Sequence, residues 1–128
     1  ARQFDKTQVK LSPAFEAQVQ AIAKESMKDL GLSHLQNSVS ANLYKLVLYP
    51  PGGFFKKHKD TEKEPGMFAT LAVRLPSSHE GGTLRVTHGG ETKDFFNTHS
   101  ATRCSSAIFF ADVDHELLPT TCGYRIAL

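Results

Sequence analysis

The chain has 128 residues, with 15 lysines and arginines against 13 aspartates and glutamates, for a formal net charge of +2 at neutral pH. A chain of roughly 100–200 residues ordinarily builds one core, so a single domain is expected. The near-balanced charge and ordinary apolar content exclude a dominantly basic nucleic-acid-binding surface and a disordered tail, so neither nucleic acid nor oligomeric state is indicated.

The first segment, ARQFDKTQVK, lacks the apolar core of a signal peptide, and no later apolar run approaches the ~18–20 residues that span a bilayer. The expectation is a cytoplasmic or nuclear protein without a membrane partner. Because the chain begins with Ala1 and not Met, a processed or trimmed N-terminus is left open.

Residues 12–31 carry helix punctuation: Ser12 as N-cap, Pro13 at the first helical position and Gly31 as terminator. Phe15, Val19, Ile22, Ala23, Met27 and Leu30 recur at helical spacing and form one apolar stripe, expected to lie against a larger layer. Ser33 to Ser40 reads as a polar connection.

From about residue 39 onward the period changes to that of strands. ANLYKLVLY, GMFATLAVRL, GTLRVTH, SAIFFAD, HELL and GYRIAL are short runs of aliphatic, aromatic and β-branched residues, separated by PPGG, KEPG, EGG, HGG and PTTCG. Such spacing predicts a sandwich or barrel, mainly β with one flanking N-terminal helix. Gly89-Gly90 is expected to form a hairpin turn, since glycine reaches positive φ without steric cost.

Within this β region, His58-Lys59-Asp60 places an imidazole and a carboxylate on one face of an extended segment, with Lys59 pointing away. Alone the pattern is weak, because a chain with six histidines produces it by accident readily. His115, on a late strand after IFFADVD, is a candidate third metal ligand. Two histidines and one carboxylate leave the opposite face of an octahedral ion open, the arrangement suited to non-haem Fe(II) oxygenases, where a bidentate 2-oxoglutarate and O2 would bind. Arg125, on the closing GYRIAL strand, supplies the permanent cation that the far carboxylate of such a keto acid needs, and a guanidinium grips a carboxylate with parallel hydrogen bonds. An isolated Arg on an edge strand is more often a surface residue, so its position relative to His115 carries the argument.

These residues bear a family resemblance. LYKLVLYPPGGFFKKHKDTEKEPGMFATLAVRLPSSHEGGTLRV, followed by SSAIFFADVDHELLPTTCGYRIAL, resembles the prolyl 4-hydroxylase-like branch of the Fe(II)/2-oxoglutarate oxygenases over about residues 43–128. The matching pieces are the aromatic and glycine-rich lead-in to His58 and Asp60, the Glu80-Gly81-Gly82 turn, the strand bearing His115, and Gly123-Tyr124-Arg125. The resemblance implies a double-stranded β-helix, or jelly roll, with the site inside its open end. It also implies Fe(II), 2-oxoglutarate and O2 as the reacting set, ascorbate as a candidate auxiliary, and a protein or peptide substrate with proline the first residue to test. It further implies that Tyr49 hydrogen-bonds the co-substrate, although Tyr49 can equally cap its strand with the ring in the core. Thr70 is a further inward-facing candidate.

Departures from the family pattern are Ala127, where members often carry a serine, and an end at Leu128, where they usually continue, so a trimmed C-terminus is expected. Arg125 separates the chain from collagen-type members, which typically use lysine, and Asp60 separates it from halogenating relatives, which lose that carboxylate. Small-molecule oxygenation, oxidative demethylation of nucleic acid and a non-catalytic binding module remain the alternatives. The remaining residues receive structural readings. His34, His79, His88 and His99 are expected at the surface and Phe54, Phe55, Phe109 and Phe110 in the core. Cys104 and Cys122 read as reduced and half-buried. Lys56, Lys57 and Lys59 read as a basic loop at the mouth of the site, and DVDHE as too short for a hard-cation loop.

Overall fold

The structure, a computed structural model, describes residues 1–96 and 101–128. His99 lies outside the described residues. Strand β1 (Arg2–Asp5) precedes helix α1 (Pro13–Ser26), which tightens into a 3-10 turn at Met27–Leu30; a second 3-10 segment, Ser33–Ser38, replaces the irregular connection expected there. Ten strands follow: β2 (Lys45–Tyr49), β3 (Phe55–His58), β4 (Ala69–Arg74), β5 (His79–Gly81), β6 (Leu84–His88), β7 (Glu91–Phe95), β8 (Ser105–Phe110), β9 (Asp114–Leu117), β10 (Thr120–Gly123) and β11 (Arg125–Ala127).

The helix starts as its sequence requires. The Ser12 hydroxyl accepts a hydrogen bond from the Phe15 amide at 3.1 Å, and Pro13 occupies the first turn, where its missing N–H costs nothing. At the far end Gly31 adopts φ 74°, which lets the Leu32 amide reach back to the Met27 carbonyl at 2.9 Å. Of the apolar stripe only Ala23 and Met27 are fully buried. Phe15, Val19, Ile22 and Leu30 are half-buried, because the helix packs against the edge strand β8 and covers a margin of the molecule, not its centre. Gln20 fastens the helix to the chain entering β2: its side-chain amide donates to the Ala41 carbonyl at 2.6 Å and accepts from the Ala41 amide at 2.8 Å.

The strands form a five-stranded sheet in the order β1-β2-β11-β4-β8, a four-stranded sheet in the order β3-β9-β6-β7, and the separate pair β10-β5. Every pairing is antiparallel. The core lies between the two larger sheets. Val47 and Tyr49 of β2 with Ala107 and Phe109 of β8 meet Leu84 and Val86 of β6 and Leu117 of β9 in one buried cluster, joined by Phe96 and Val113. The alternation of buried and half-buried positions along Leu84–Thr87 of β6 and along β9 is the period-two signature of a strand with one face on the core. The β6-β7 turn is the hairpin expected at Gly89-Gly90, with His88 opposite Glu91 and both glycines at positive φ.

Several expectations are corrected. His79 is buried, 4% exposed, because β5 is covered by β10: Gly123 stands opposite it, so close that a Cβ there would lie 2.7 Å from the His79 Cα. Phe54 and Phe110 are exposed at 52% and 37%, whereas Phe109 is in the core and Phe55 packs against it. Cys104 and Cys122 are free, as expected, but exposed. Among the described residues no helix is long and apolar enough to cross a membrane.

Candidate metal centre

The turn at Pro50 to Gly53 carries the chain from one sheet to the other. Gly52 adopts φ 87°, its amide donates to the Thr120 carbonyl at 2.6 Å, and the Thr120 amide returns a bond to the Gly53 carbonyl at 3.0 Å. Strand β3 is thereby delivered beside β9. Phe55 pairs with Leu117 and His58 with His115, so β3 spends one residue more than β9 between these two pairs. Such a bulge turns the following side chains over. In regular register Lys57 would face His115; the extra residue brings His58 there instead.

Asp60 follows the end of β3, and its amide donates to the Ala111 carbonyl at 3.0 Å. Its Oδ1 lies 3.6 Å from His58 Nε2 and 3.4 Å from His115 Nε2. Among the described residues His58, Asp60 and His115 form a group that could hold a metal ion, with one donor atom from each within 4.8 Å of the others. The rings are preset for this. His58 Nδ1 lies 2.8 Å from the Lys56 carbonyl and His115 Nδ1 lies 3.2 Å from the Val113 carbonyl, so both Nδ1 atoms are placed to carry a proton, and the Nε2 atoms face Asp60, donating to it when the rings are charged and offering lone pairs to a cation when they are neutral. Aromatic rings wall the group: Phe55 meets both imidazoles edge-on at 5.0 and 5.7 Å, and Phe109 lies 4.7 Å from His115. His115 is buried and His58 half-exposed, so the group opens to solvent on one side.

The electrostatics favour a cation. Burial pushes the Asp60 carboxyl up, but hydrogen bonds from His115 and Thr70 and the charge of the two imidazoles outweigh it and hold the group at about 2. Burial pushes His115 down, and its bonds with Asp60 and the Val113 carbonyl, helped by the Asp60 charge, raise it nevertheless. The donor set of two imidazoles and one ionised carboxylate suits a borderline divalent transition metal.

Arg125 opens into the same cleft. It lies on β11 directly opposite Tyr49 and is 3% exposed, with its guanidinium 5.2 Å above the Tyr49 ring and 5.3 Å from the Phe96 ring. Its Nε has no hydrogen-bond partner among the described residues. Burial lowers it to about 10, where it still keeps its charge at neutral pH; the Tyr49 hydroxyl supports that charge and Arg74 opposes it. Burial likewise raises Tyr49, with Arg125 pulling the other way. A buried cation with an unused donor is able to take an anion at low desolvation cost.

No family model matches the chain, and no curated protein matches it. Among solved structures it is similar to the crystal structure of a Pseudomonas putida prolyl-4-hydroxylase, with a TM-score of 0.59 at 23% identity, over 98% of this chain and 66% of that one. The two proteins share a fold. This chain spans just under two thirds of that protein's length.

The structure thus brings His58, Asp60 and His115 together, and it sets Arg125 and Tyr49 side by side on the same cleft. Thr70 does face inward, and its hydroxyl donates to Asp60 Oδ2 at 2.6 Å. Sequence reasoning missed three further residues. Gly82 leaves room for Arg125, since a Cβ there would lie 2.6 Å from the Arg125 Cδ. Phe96 holds φ 62° and offers its ring to Arg125 and, at 5.1 Å, to the buried Arg74. Thr120 lies beside Gly82 with its hydroxyl buried and, among the described residues, without a hydrogen-bond partner. Only Gly82 carried a sequence signal, as part of the Glu80-Gly81-Gly82 turn. The lysines of the mouth are partly committed: Lys59 pairs with Asp114 at 2.7 Å and Lys57 approaches Glu116 at 3.9 Å.

Proposed function

We propose that the chain is an Fe(II)- and 2-oxoglutarate-dependent oxygenase on a double-stranded β-helix, hydroxylating an unactivated C–H bond in a polypeptide. The observation that carries this reading is Arg125: a buried guanidinium with an unused donor, opening into the cleft that also holds two imidazoles and a carboxylate around one point. A metal group alone would suit many proteins. A metal group and a solitary buried cation on one cleft call for a ligand that chelates at one end and carries a carboxylate at the other.

In this reading His58 Nε2, Asp60 Oδ1 and His115 Nε2 hold Fe(II), and Arg125 holds the distal carboxylate of 2-oxoglutarate with Tyr49 alongside. Bound together, iron, keto acid and O2 supply the oxidising chemistry that protein side chains lack. The remaining work belongs to the chain. The Nδ1 contacts of His58 and His115 fix ring orientation, Phe55 and Phe109 cover His115 and the inner side of His58, and the low position of the Asp60 carboxyl keeps it ionised at any physiological pH.

The cleft supports a polypeptide substrate over a small molecule. Exposed Tyr44, Phe54 and Phe68 lie along it, offering apolar area to an extended segment. Pairing of Lys57 and Lys59 with acidic residues of β9 weakens the case for a phosphate backbone.

The test is anaerobic addition of Fe(II) and then 2-oxoglutarate, which should give the visible charge-transfer band of the chelate in the wild type and not in Asp60→Ala. Peptide libraries screened by mass spectrometry for a gain of one oxygen, with succinate measured in parallel, then identify the substrate. A chain that gives neither the band nor succinate is not such an oxygenase.

A further inference from the structure

The two oxygens of Asp60 have different surroundings. Oδ1 faces both imidazole Nε2 atoms, at 3.6 and 3.4 Å, whereas Oδ2 accepts the 2.6 Å hydrogen bond from Thr70 Oγ1. That length is characteristic of a hydroxyl bonded to an ionised carboxylate, among the stronger hydrogen bonds in proteins. The two residues belong to different sheets. Thr70 is on β4 of the five-stranded sheet, opposite Phe109 of β8, while Asp60 follows β3 of the four-stranded sheet. The backbone beneath is fixed in the same direction: the Asp60 amide is bonded to the Ala111 carbonyl, and the Ala111 amide to the Phe68 carbonyl, each at 3.0 Å. Asp60 is therefore held at its backbone and at one carboxylate oxygen, and the other oxygen is the one turned to the histidines.

We infer that Thr70 is a positioning residue that makes Asp60 a one-oxygen metal ligand. The inference rests on the oxygenase reading above and sharpens it. A carboxylate free to rotate can chelate a cation with both oxygens and so fill a coordination position on the open face. That face must accept a two-point keto acid and O2 together, so a position lost to Asp60 would be lost to the reaction. By occupying Oδ2, the Thr70 hydroxyl keeps the carboxylate from closing onto the ion. This assigns Thr70 to the metal ligand, not to the co-substrate.

The experiment uses metal binding without turnover. Co(II) is titrated anaerobically into wild type, Thr70→Val, Thr70→Ala and Thr70→Ser, following the visible d–d absorption, with circular dichroism to confirm that each variant is folded. Groups that orient a metal ligand typically contribute about 10–100-fold to affinity. Thr70→Val and Thr70→Ala are expected to weaken Co(II) binding by that factor and to change the d–d band, while Thr70→Ser, which restores the hydroxyl, returns both toward wild type. The Ser and Ala pair carries the comparison if Val disturbs packing. Wild-type affinity and spectrum in Thr70→Ala would overturn the inference, as would a variant that loses only 2-oxoglutarate affinity. The oxygenase reading is judged separately, by the chelate band of the wild type: if the wild type binds Co(II) but gives no band with Fe(II) and 2-oxoglutarate, that reading fails while the role of Thr70 stands or falls on the variants.

Discussion

Arg125 occupies a place where a guanidinium is costly, since burial opposes the charge, and among the described residues it is relieved by the Tyr49 and Phe96 rings and not by a carboxylate. Gly82 makes that place possible. Its φ of 73° is one that side chains rarely adopt, and a Cβ would meet Arg125 Cδ at 2.6 Å and Nε at 3.2 Å. Gly82→Ala is therefore expected to destabilise the fold by about 1–3 kcal/mol through backbone strain and to push Arg125 off its seat. Isothermal titration should find 2-oxoglutarate affinity reduced toward that of Arg125→Ala, itself about 10–100-fold weaker for lost charge-assisted bonds, with metal affinity kept. Unchanged keto-acid affinity in Gly82→Ala would separate Gly82 from the site. At this scale the residues of the candidate group were legible, because His58, Asp60, His115 and Arg125 carry their chemistry in their identity and order. Their supports were not. Thr70 reads only as inward-facing, without its bond to Asp60; Thr120 and Phe96 are ordinary strand and turn residues until distant segments bring them beside Gly82 and Arg125, and His79 looked exposed because local polarity says nothing about the strand that covers it.

Element by element, legibility followed the strength of the local rule. The Ser12, Pro13 and Gly31 signals placed the helix limits, and Gly89-Gly90 placed a hairpin. Strands β1 and β10 passed unread: RQFD lies on a sheet edge with only Phe4 half-buried, and TTCG reads as turn chemistry while pairing with β5. The bulge in β3 was invisible for another reason, since it exists only relative to β9. The β6-β7 hairpin offers a test of element stability. Arg85 and Asp94 are cross-strand partners joined by two hydrogen bonds of 2.9 and 3.1 Å. The bond from Arg85 first, and its charge as well, hold the Asp94 carboxyl below its ordinary range despite a small opposing effect of burial. A depressed carboxylate stabilises the fold above its unfolded value of ~3.9 and loses that contribution as pH falls through the folded one. Asp94→Asn should lower the melting temperature slightly at neutral pH, with the difference vanishing in acid. A difference that persisted below the carboxylate range would assign the effect to something other than this ion pair.

At the scale of the molecule, the two sheets meet around a shared core, and the cleft between them is where the metal group and Arg125 both open. Fold class was readable from period and punctuation, as mainly β with an N-terminal helix, whereas the sheet order was not, because it depends on pairings between residues far apart in the chain. That same distance bears on stability. His58 and Asp60 lie at the end of the edge strand β3, and His115 lies on β9, which arrives only after five intervening strands. An ion held by all three would act as a removable cross-link, closing a long loop that the unfolded chain leaves open. Binding to the native state alone adds about 2.7 kcal/mol when the free metal is at 100 times its dissociation constant. Melting temperature should rise with Fe(II) or Co(II) and fall back with a chelator, and Asp60→Ala should abolish the response. Hydrogen exchange should report the same event locally, with amides of β3 slowing while those of β1, on the far sheet, are indifferent. Iron supply would then govern how long the molecule survives proteolysis as well as whether it can react.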